Sequence, residues 1–363
     1  MPKLTDPIDL GAFEASNRMF MAPLTRARAT RTAVPTPIMI DYYRQRASAG
    51  LIISEATGIS RIGLGWPYAP GLWNDEQVAG WAPITDAVHA EGGRIVAQLW
   101  HMGRLGHDSV TEGQPVSSSA TTAPAHAHTY DGNKPYSPAR ALTLDEIPGL
   151  LDDYARAAEN ALRAGFDGVQ LHAANGYLID QFLRDNANFR TDQYGGSIEN
   201  RIRLLGEVTT RLGQAIGIDR VGVRLSPNGE VQGVNDSDPH ALFGAAANLL
   251  DEVGVAWLEL REPGPDSQFG KPDVAPVHPT IRTAFSRPLV LNSDYEAANA
   301  QARLDAGEAD AIAFGRTFIA NPDLPRRLAE QLPLNAPDYA TFYTQDAKGY
   351  TDYPVWDEVN EPA

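Results

Sequence analysis

Residues 143–177, TLDEIPGLLDDYARAAENALRAGFDGVQLHAANGY, contain a capped helix that leads into a short strand with polar residues at its end. Thr143 and Glu146 form a capping box, and Gly165 is a stop signal after a stripe of apolar residues at helical spacing. The next run, Gly168 to Ala173, has the length of a buried strand. This helix followed by a strand predicts one unit of an α/β fold with a parallel sheet.

The same unit recurs along the chain about eight times, the number that closes a (β/α)₈ TIM barrel. The chain has 363 residues, which leaves room for loop insertions beyond the roughly 250 of a typical barrel. Two ordinary domains are the alternative, but we expect residues 1–363 to form a single domain. The predicted strands are Met19 to Leu24, Leu51 to Ala56, Arg94 to Trp100, Gly168 to Ala173, Val221 to Leu225, Trp257 to Arg261, Pro288 to Asn292 and Ala311 to Gly315.

Further helix starts and two extra segments surround these strands. Ser197, Asp238 and Asn321 are predicted caps, the last two because each precedes a proline. Ile8 to Ser16 predicts a small hairpin that plugs the bottom of the barrel. His101 to Arg140 is a long insertion after the third strand, and loops of that length commonly form lids.

Composition excludes several classes of protein. Lys and Arg total 30 against 46 Asp and Glu, and a net charge of −16 disfavours a surface for nucleic acid or anionic lipid. The absence of cysteine excludes disulfides, thiol nucleophiles and cysteine-held zinc or iron–sulfur clusters. The first ten residues lack the apolar core of a signal peptide, and no stretch approaches the roughly 18 apolar residues of a membrane span. We therefore expect a cytoplasmic protein without a membrane partner.

Polar residues cluster where the predicted strands end, which in a (β/α)₈ barrel is the face that holds active sites. They come from six of the eight predicted strands, so one cavity can collect them. On spacing alone, a buried histidine with a capping asparagine explains part of this set equally well. The residues are Thr25, Gln98, His172, Asn175, Tyr177, Arg224, Asn292, Ser293 and Arg316.

An ordered set of motifs at these positions resembles the old yellow enzyme family of FMN-dependent ene-reductases. The motifs are Ala22-Pro-Leu-Thr-Arg26, Ala97-Gln-Leu-Trp-His101, His172-Ala-Ala-Asn-Gly-Tyr177, Gln181-Phe-Leu-Arg184, Asp192-Gln-Tyr-Gly-Gly196, Glu199-Asn-Arg201, Val223-Arg-Leu-Ser-Pro227 and Phe314-Gly-Arg316. The resemblance covers nearly the whole chain. Gly65-Trp-Pro-Tyr-Ala-Pro-Gly71 and Lys348-Gly-Tyr-Thr-Asp-Tyr353 add a likeness to bacterial 2-cyclohexenone and N-ethylmaleimide reductases.

The resemblance implies a noncovalent FMN and a ping-pong reduction of activated C=C bonds in small α,β-unsaturated carbonyl and nitro compounds. Either NADPH or NADH is compatible as reductant, because the nicotinamide stacks on the flavin without a separate dinucleotide fold. The family's motif makes His172 and Asn175 the donors to the substrate carbonyl. It makes Tyr177 the proton donor on the opposite face of the substrate. A monomer and a homodimer are both compatible with the sequence.

The resemblance also implies the residues around the flavin. Thr25 and Gln98 would hydrogen-bond the pyrimidine part of the ring, and Arg224 would sit near N1 and the C2 oxygen. Pro23 and Ala56 would contact the ring.

The two loops after the seventh and eighth predicted strands are expected to bind the FMN phosphate. Gly315 and Arg316 follow the eighth predicted strand, and the resemblance places Ser293 and Asp294 in the preceding phosphate loop. Ser293 departs from the glycine that the family pattern leads us to expect there. Because a carboxylate next to a phosphate is unfavourable, we expect the Asp294 side chain to point away.

Aromatic residues in the loops are implied to wall the substrate pocket. Apart from the resemblance, such residues are more often ordinary packing. The predicted pocket residues are Trp66, Trp100, Val231, Phe269 and Tyr343. Four histidines in or next to the insertion could instead suggest a metal site, but no carboxylate nearby has ligand spacing, so we expect no metal. These histidines are His101, His107, His126 and His128.

Two functions of other classes compete with the ene-reductase. A (β/α)₈ lyase or isomerase would also place Arg316 at a phosphate, but the predicted strand ends carry no Schiff-base lysine. A flavin-binding storage protein is the other alternative. The lack of cysteine excludes the iron–sulfur flavin barrels and the branch of the family with cysteine at the position of Thr25.

Overall fold

A ring of parallel strands forms the centre of the computed structural model, which describes residues 1–264, 267 and 270–356. The barrel strands are β1 (Met19–Met21), β2 (Ile52–Ile53), β3 (Ile95–Trp100), β4 (Gly168–His172), β5 (Val221–Leu225), β6 (Trp257–Arg261), β7 (Leu289–Asn292) and β8 (Ala311–Phe314). Each strand pairs with the next, and β8 pairs with β1. The predicted (β/α)₈ barrel is confirmed.

The predicted strands lie where the sequence placed them, although some end earlier. β1 ends at Met21, and the chain then leaves the sheet. The backbone N–H groups of Arg26 and Ala27 donate to the buried Glu55 carboxylate, at 3.1 and 3.3 Å, and therefore do not extend the strand. Glu55 lies two residues after the end of β2, so one side chain connects the segments that follow two neighbouring strands.

The helices cover the outside of the barrel. They are α1 (Ile38–Arg44), α2 (Asp75–Ala90), α3 (Asp108–Thr111), α4 (Ile147–Arg163), α5 (Leu178–Leu183), α6 (Ile198–Ile216), α7 (Pro239–Val253), α8 (His278–Ala284), α9 (Ala297–Asp305), α10 (Arg316–Ala320) and α11 (Leu324–Ala329). Short 3₁₀ turns occupy Leu144–Glu146, Ile218–Arg220 and Tyr339–Thr341. In the described part of the chain, no helix combines the length and apolar character needed to cross a membrane.

Three of the predicted caps are confirmed by their hydrogen bonds. Thr143 and Glu146 form a reciprocal capping box ahead of α4. Ser197 accepts the N–H of residue 200 at the start of α6, and Asp238 accepts the N–H of residue 241 at the start of α7. Such caps typically contribute about 1 kcal/mol each.

The predicted cap at Asn321 is wrong. Its side-chain amide donates to the carbonyl of Thr317 at 2.9 Å, and its oxygen accepts the N–H of Asn335 at 2.8 Å. Because the amide is engaged with the preceding helix and the C-terminal segment, it caps no following helix. The next helix, α11, begins at Leu324, after Asp323.

The two segments outside the repeat take the predicted places. Ile8–Asp9 and Glu14–Ala15 pair as a small antiparallel hairpin that packs on the barrel interior, with Phe13 edge-on to Trp257 at 6.1 Å. In the insertion, His126–Thr129 and Gly132–Pro135 form a second hairpin. Val116–Ser117 pairs with Arg140–Ala141, and Thr57–Gly58 joins β3 at its carboxyl end.

Candidate active site

The register of the barrel brings the predicted polar residues to one edge. Gln98 on β3 lies opposite Gln170 on β4, and His172 at the end of β4 lies opposite Arg224 on β5. All strands run in the same direction, so the segments that follow them meet at the same mouth. Asn292 ends β7 at that mouth.

His172 is held as a neutral hydrogen-bond donor. The backbone N–H of Ala174 donates to Nδ1 of His172 at 3.3 Å, so a neutral ring carries its proton on Nε2. Burial, together with the nearby Arg224 charge, holds the pKa of His172 well below its ordinary value. Among the described residues nothing accepts from this Nε2–H, so the neutral imidazole can donate it to a substrate oxygen.

Asn175 stands in the left-handed region of backbone conformation, with φ of 55°. Asparagine tolerates this region better than most side chains. Its N–H donates to Oγ of Ser226 at 2.7 Å, and its carbonyl accepts from Nε2 of Gln232 at 2.7 Å. Two side chains from the loop after β5 therefore fix the backbone turn that presents the Asn175 amide.

The Tyr177 ring packs against two of the predicted site residues, His172 and Trp100. Its ring lies edge-on to His172 at 4.8 Å and edge-on to Trp100 at 4.9 Å between centroids. Burial raises the pKa of the Tyr177 hydroxyl, although a hydrogen bond from Gln232 opposes the rise. The phenol keeps its proton at neutral pH, as a general acid must.

Arg224 is buried among partners that leave part of its guanidinium available. Nη2 donates to Oδ1 of Asn292 at 2.6 Å, and Nε lies 3.4 Å from Oε1 of Glu259. Within residues 1–264, 267 and 270–356, neither Nη1 of Arg224 nor the hydroxyl of Thr25 has a hydrogen-bond partner. Gln98 uses its Nε2 on Gln170 and keeps its oxygen free in the same part of the chain.

These free groups fit the polar edge of a flavin. Arg224 supplies a fixed positive charge, Gln98 an acceptor and Thr25 a hydroxyl at one mouth. Pro23 and Ala56 are buried beside the ends of β1 and β2. Glu55 ties these two strand ends together, and its pKa is raised to about 7 by burial.

The loops after β7 and β8 carry the predicted phosphate residues. A side chain added at Gly315 would meet only Leu24 Cδ2, at 3.6 Å, so the backbone there is open to close approach. Arg316 begins α10 and forms an ion pair with Asp294, whose carboxylate also accepts from Ser267 at 2.7 Å. The Asp294 side chain therefore lies on Arg316, which departs from our expectation that it points away.

A third arginine stands between these groups. Arg261 ends β6, and its pKa is lowered to about 10 by burial and by the charges of Arg224 and Arg316. Three guanidinium groups thus surround the mouth between β5 and β8. A site with this charge favours an anion such as a phosphate.

The predicted pocket walls come from separate loops. Trp66 lies 5.3 Å from Tyr343 between ring centroids. Val231 lies in the loop after β5, next to Gly176, which directly follows Asn175 in the chain. Trp100 is buried at the end of β3. Phe269 lies outside the described residues.

The histidines of the insertion have structural partners. His128 packs on Trp66 at 4.3 Å and thereby joins the pocket wall. His101 is buried, with its pKa lowered to about 4, and His107 caps α3. No group of three or more candidate metal ligands was found in residues 1–264, 267 and 270–356.

Sequence reasoning missed several residues that shape the site. Gln170 and Glu259 are polar residues inside otherwise apolar strands, and this position is the signal that could have marked them. Gln232 lies in a loop and His128 in the exposed hairpin of the insertion, and neither position carries such a signal.

A barrel with a neutral histidine donor, a protonated tyrosine and three arginines at its mouth agrees with the class of flavin-dependent barrel oxidoreductases. The model of the NADH:flavin oxidoreductase / NADH oxidase family matches residues 3–335. The chain belongs to this family, that of the old yellow enzymes, whose cofactor is FMN.

Known proteins resemble this chain over 97–100% of its length. The old yellow enzyme homologue from Zymomonas mobilis is 62% identical, with a TM-score of 0.96 over 97% of this chain and 99% of that chain. Morphinone reductase in complex with tetrahydroNAD is 47% identical, with a TM-score of 0.93 over 100% of both chains. Putative 12-oxophytodienoate reductase 4 of Oryza sativa subsp. japonica is 42% identical over 100% of this chain and 95% of its own length.

Proposed function

We propose that this chain is an FMN-dependent ene-reductase that uses NADPH or NADH to reduce activated C=C bonds of α,β-unsaturated carbonyl and nitro compounds. The observation that carries the proposal is the neutral His172 with its free Nε2–H, packed against Tyr177 and close in sequence to Asn175. Relatives named as 12-oxophytodienoate reductase and morphinone reductase support it.

FMN, when bound, supplies the relay of hydride from the nicotinamide to the alkene. His172 and Asn175 donate hydrogen bonds to the carbonyl or nitro oxygen and so draw electron density from the double bond. Tyr177 holds the proton that is delivered to the carbon next to the activating group. The aromatic wall, formed by Trp66, His128 and Tyr343, excludes water from the substrate.

The FMN itself is held without a covalent bond. Thr25, Gln98 and Arg224 would meet the pyrimidine part of the flavin, while Pro23 and Ala56 would contact the ring. The phosphate is bound by Arg316 and by the loop residues Ser293, Asp294 and Gly315. The Asp294 carboxylate occupies part of the Arg316 guanidinium, so it competes with a phosphate for the donors of that side chain.

Titration of the oxidised holoenzyme with a para-substituted phenol tests the anion site. The phenolate oxygen accepts from His172 and Asn175 while its ring stacks on the flavin, and a long-wavelength absorption band appears. His172→Ala combined with Asn175→Ala weakens binding at least about tenfold, since two hydrogen bonds to a charged group are lost. His107→Ala is the matched control, because that histidine only caps α3. Equal phenol binding in the double variant would refute the assignment.

Two simpler observations separate this function from its competitors. A purified chain with noncovalent FMN that bleaches with NAD(P)H and recolours with 2-cyclohexenone excludes a lyase and a storage protein. FAD, or a flavin that stays on the denatured chain, would contradict the proposal. A single domain, a monomer or homodimer, the cytoplasm and the absence of nucleic-acid and membrane partners remain predictions.

A further inference from the structure

Three polar side chains inside the barrel, Gln98, Gln170 and Glu259, are hydrogen-bonded in series, and an ion pair connects Glu259 to Arg224. Gln98, Gln170 and Glu259 are at most 1% exposed, and Arg224 is 5% exposed. The link from Gln170 on β4 to Glu259 on β6 spans the barrel past β5, so it is made entirely by side chains. Barrel interiors are usually filled by branched apolar residues, and buried polar groups are costly unless they are bonded.

Glu259 defines the charged end of this chain. Its Oε1 lies 3.4 Å from Nε of Arg224, so carboxylate and guanidinium form a buried ion pair. Asn292 accepts from Arg224 at 2.6 Å and donates to the carbonyl of Ala313 at 2.7 Å, which fixes the guanidinium from the other side. An ionised carboxylate can only accept hydrogen bonds.

This restriction sets the direction of both amides. Oε2 of Glu259 must accept, so Gln170 turns its Nε2 toward it, at 2.7 Å. Oε1 of Gln170 then faces Gln98 and accepts from its Nε2 at 2.8 Å. The oxygen of Gln98 is therefore left as the acceptor on the side that belongs to the site.

We propose that Glu259 and Gln170 are positioning residues for the flavin: the negative charge of Glu259, passed through Gln170, makes Gln98 present an oxygen to the N3–H of the pyrimidine ring. The proposal rests on the proposed FMN site. In a flavin, N3 carries a proton and is a donor, so an amide turned the other way would place two donors against each other. The same carboxylate partly neutralises Arg224 and so moderates its effect on the flavin.

Gln170→Leu separates the hydrogen-bond relay from the charge, because the ion pair of Glu259 with Arg224 remains. We expect the N3 proton of ¹⁵N-labelled FMN to shift upfield in NMR spectra of the holoenzyme. The Kd of the apoprotein for FMN should rise about 2- to 10-fold, as for the loss of one hydrogen bond. The flavin midpoint potential should stay close to that of the wild type.

Glu259→Gln removes both the charge and the fixed direction. The N3 proton should shift as in Gln170→Leu, and the midpoint potential should also become less negative, since a nearby negative charge is lost. Glu259→Asp, which keeps the charge, should move the potential less than Glu259→Gln. Glu262→Gln is the matched control, because that carboxylate also lies at the end of β6 but binds His278 and the backbone at α8.

An unchanged N3 proton in Gln170→Leu, with a wild type that binds FMN and reduces 2-cyclohexenone, would overturn the relay and leave the proposed function intact. A wild type that binds no flavin would overturn the proposed function itself. If Glu259→Gln fails to fold, Gln170→Leu still tests the relay, because that variant keeps the buried ion pair of Glu259 with Arg224.

Discussion

The floor of the site and its outer wall are built in opposite ways. The floor consists of Gln98, Gln170, Arg224 and Glu259, which are almost fully buried and bonded to one another across barrel strands. The aromatic wall consists of Trp66 and Tyr343, which lie in loops, and of His128, which lies in the hairpin of the insertion. Tyr343 is 53% exposed. The floor suits a cofactor whose electronics must stay fixed, and the wall suits substrates that vary.

The wall is nevertheless attached to the segment of chain that carries Thr25. Arg26 and Arg28 directly follow Thr25, and both are almost fully buried. Arg26 donates to the carbonyl of Gly349 at 2.8 Å, and Arg28 donates to the carbonyl of Phe342 at 2.8 Å. The position of Tyr343 therefore depends on the segment that carries Thr25.

The largest expected effect belongs to Tyr177, which lies between floor and wall. Tyr177→Phe should slow reoxidation by 2-cyclohexenone about 10²–10⁴-fold, the usual contribution of a general acid. Flavin reduction by NAD(P)H should stay nearly intact, because that step needs no proton from Tyr177. Stopped-flow traces of the two half-reactions measure both rates.

Nitroalkenes provide the control for that variant. They should lose less rate, because a nitronate can leave the site and take its proton from water. If Tyr177→Phe slowed the nicotinamide step and spared the enone step, Tyr177 would instead position the cofactor, and Tyr343 would be the next candidate acid.

Removing the attachment of the wall should cost stability and substrate binding together. Arg28→Met removes buried hydrogen bonds to the carbonyls of Arg26, Thr341 and Phe342 and should lower the free energy of unfolding by about 2–4 kcal/mol. KM for enones should rise, since the segment of Tyr343 is released. Urea denaturation and steady-state kinetics measure these effects.

Arg44→Met is the matched control for that substitution. Arg44 is an exposed surface arginine paired with Asp41 at 3.0 Å, and such pairs contribute at most about 1 kcal/mol. Equal losses of stability in the two variants would show that the buried attachment has no special role.

A smaller effect is expected within the wall itself. His128→Ala removes a ring that packs on Trp66 and should change KM for bulky enones a few-fold, roughly 1 kcal/mol, while kcat for NAD(P)H and the flavin spectrum stay constant. His126→Ala, two residues earlier on the same strand, should leave KM unchanged. A shifted flavin spectrum in His128→Ala would mean that wall and floor are not separable.

A pH dependence of stability is expected from Glu55, which lies next to the site. The pKa of Glu55 is raised to about 7 from an ordinary 4.5, so between these values the folded state binds more protons than the unfolded state. Its contribution therefore makes the free energy of unfolding fall as pH rises through this window. Glu55→Gln should flatten that dependence in urea titrations between pH 5 and 8.

Glu146 supplies a contrast of opposite sign. Its pKa is lowered to about 2 by Arg140, so its stabilising effect is present above pH 4.5 and is lost as pH falls. Glu146→Gln should leave the slope between pH 5 and 8 unchanged. An unaltered slope in Glu55→Gln would show that Glu55 does not titrate in this range.

Much of the protein follows from the sequence because its signals are local. The eight strands, the caps at Thr143, Ser197 and Asp238, and the end-of-strand positions of His172 and Arg224 depend on residues a few places apart. The ordered motifs then indicate the family, because so many short patterns are not expected to occur in this order by chance.

Tertiary structure decided what depends on residues far apart in the chain. The side chain of Asn321 binds Asn335 instead of capping a helix, and Asp294 lies on Arg316. The direction of the Gln98 amide depends on Glu259, 161 positions later in the sequence and two links away through Gln170. Sequence patterns determine which groups reach the barrel mouth, but the barrel's closure determines which of them share a hydrogen bond.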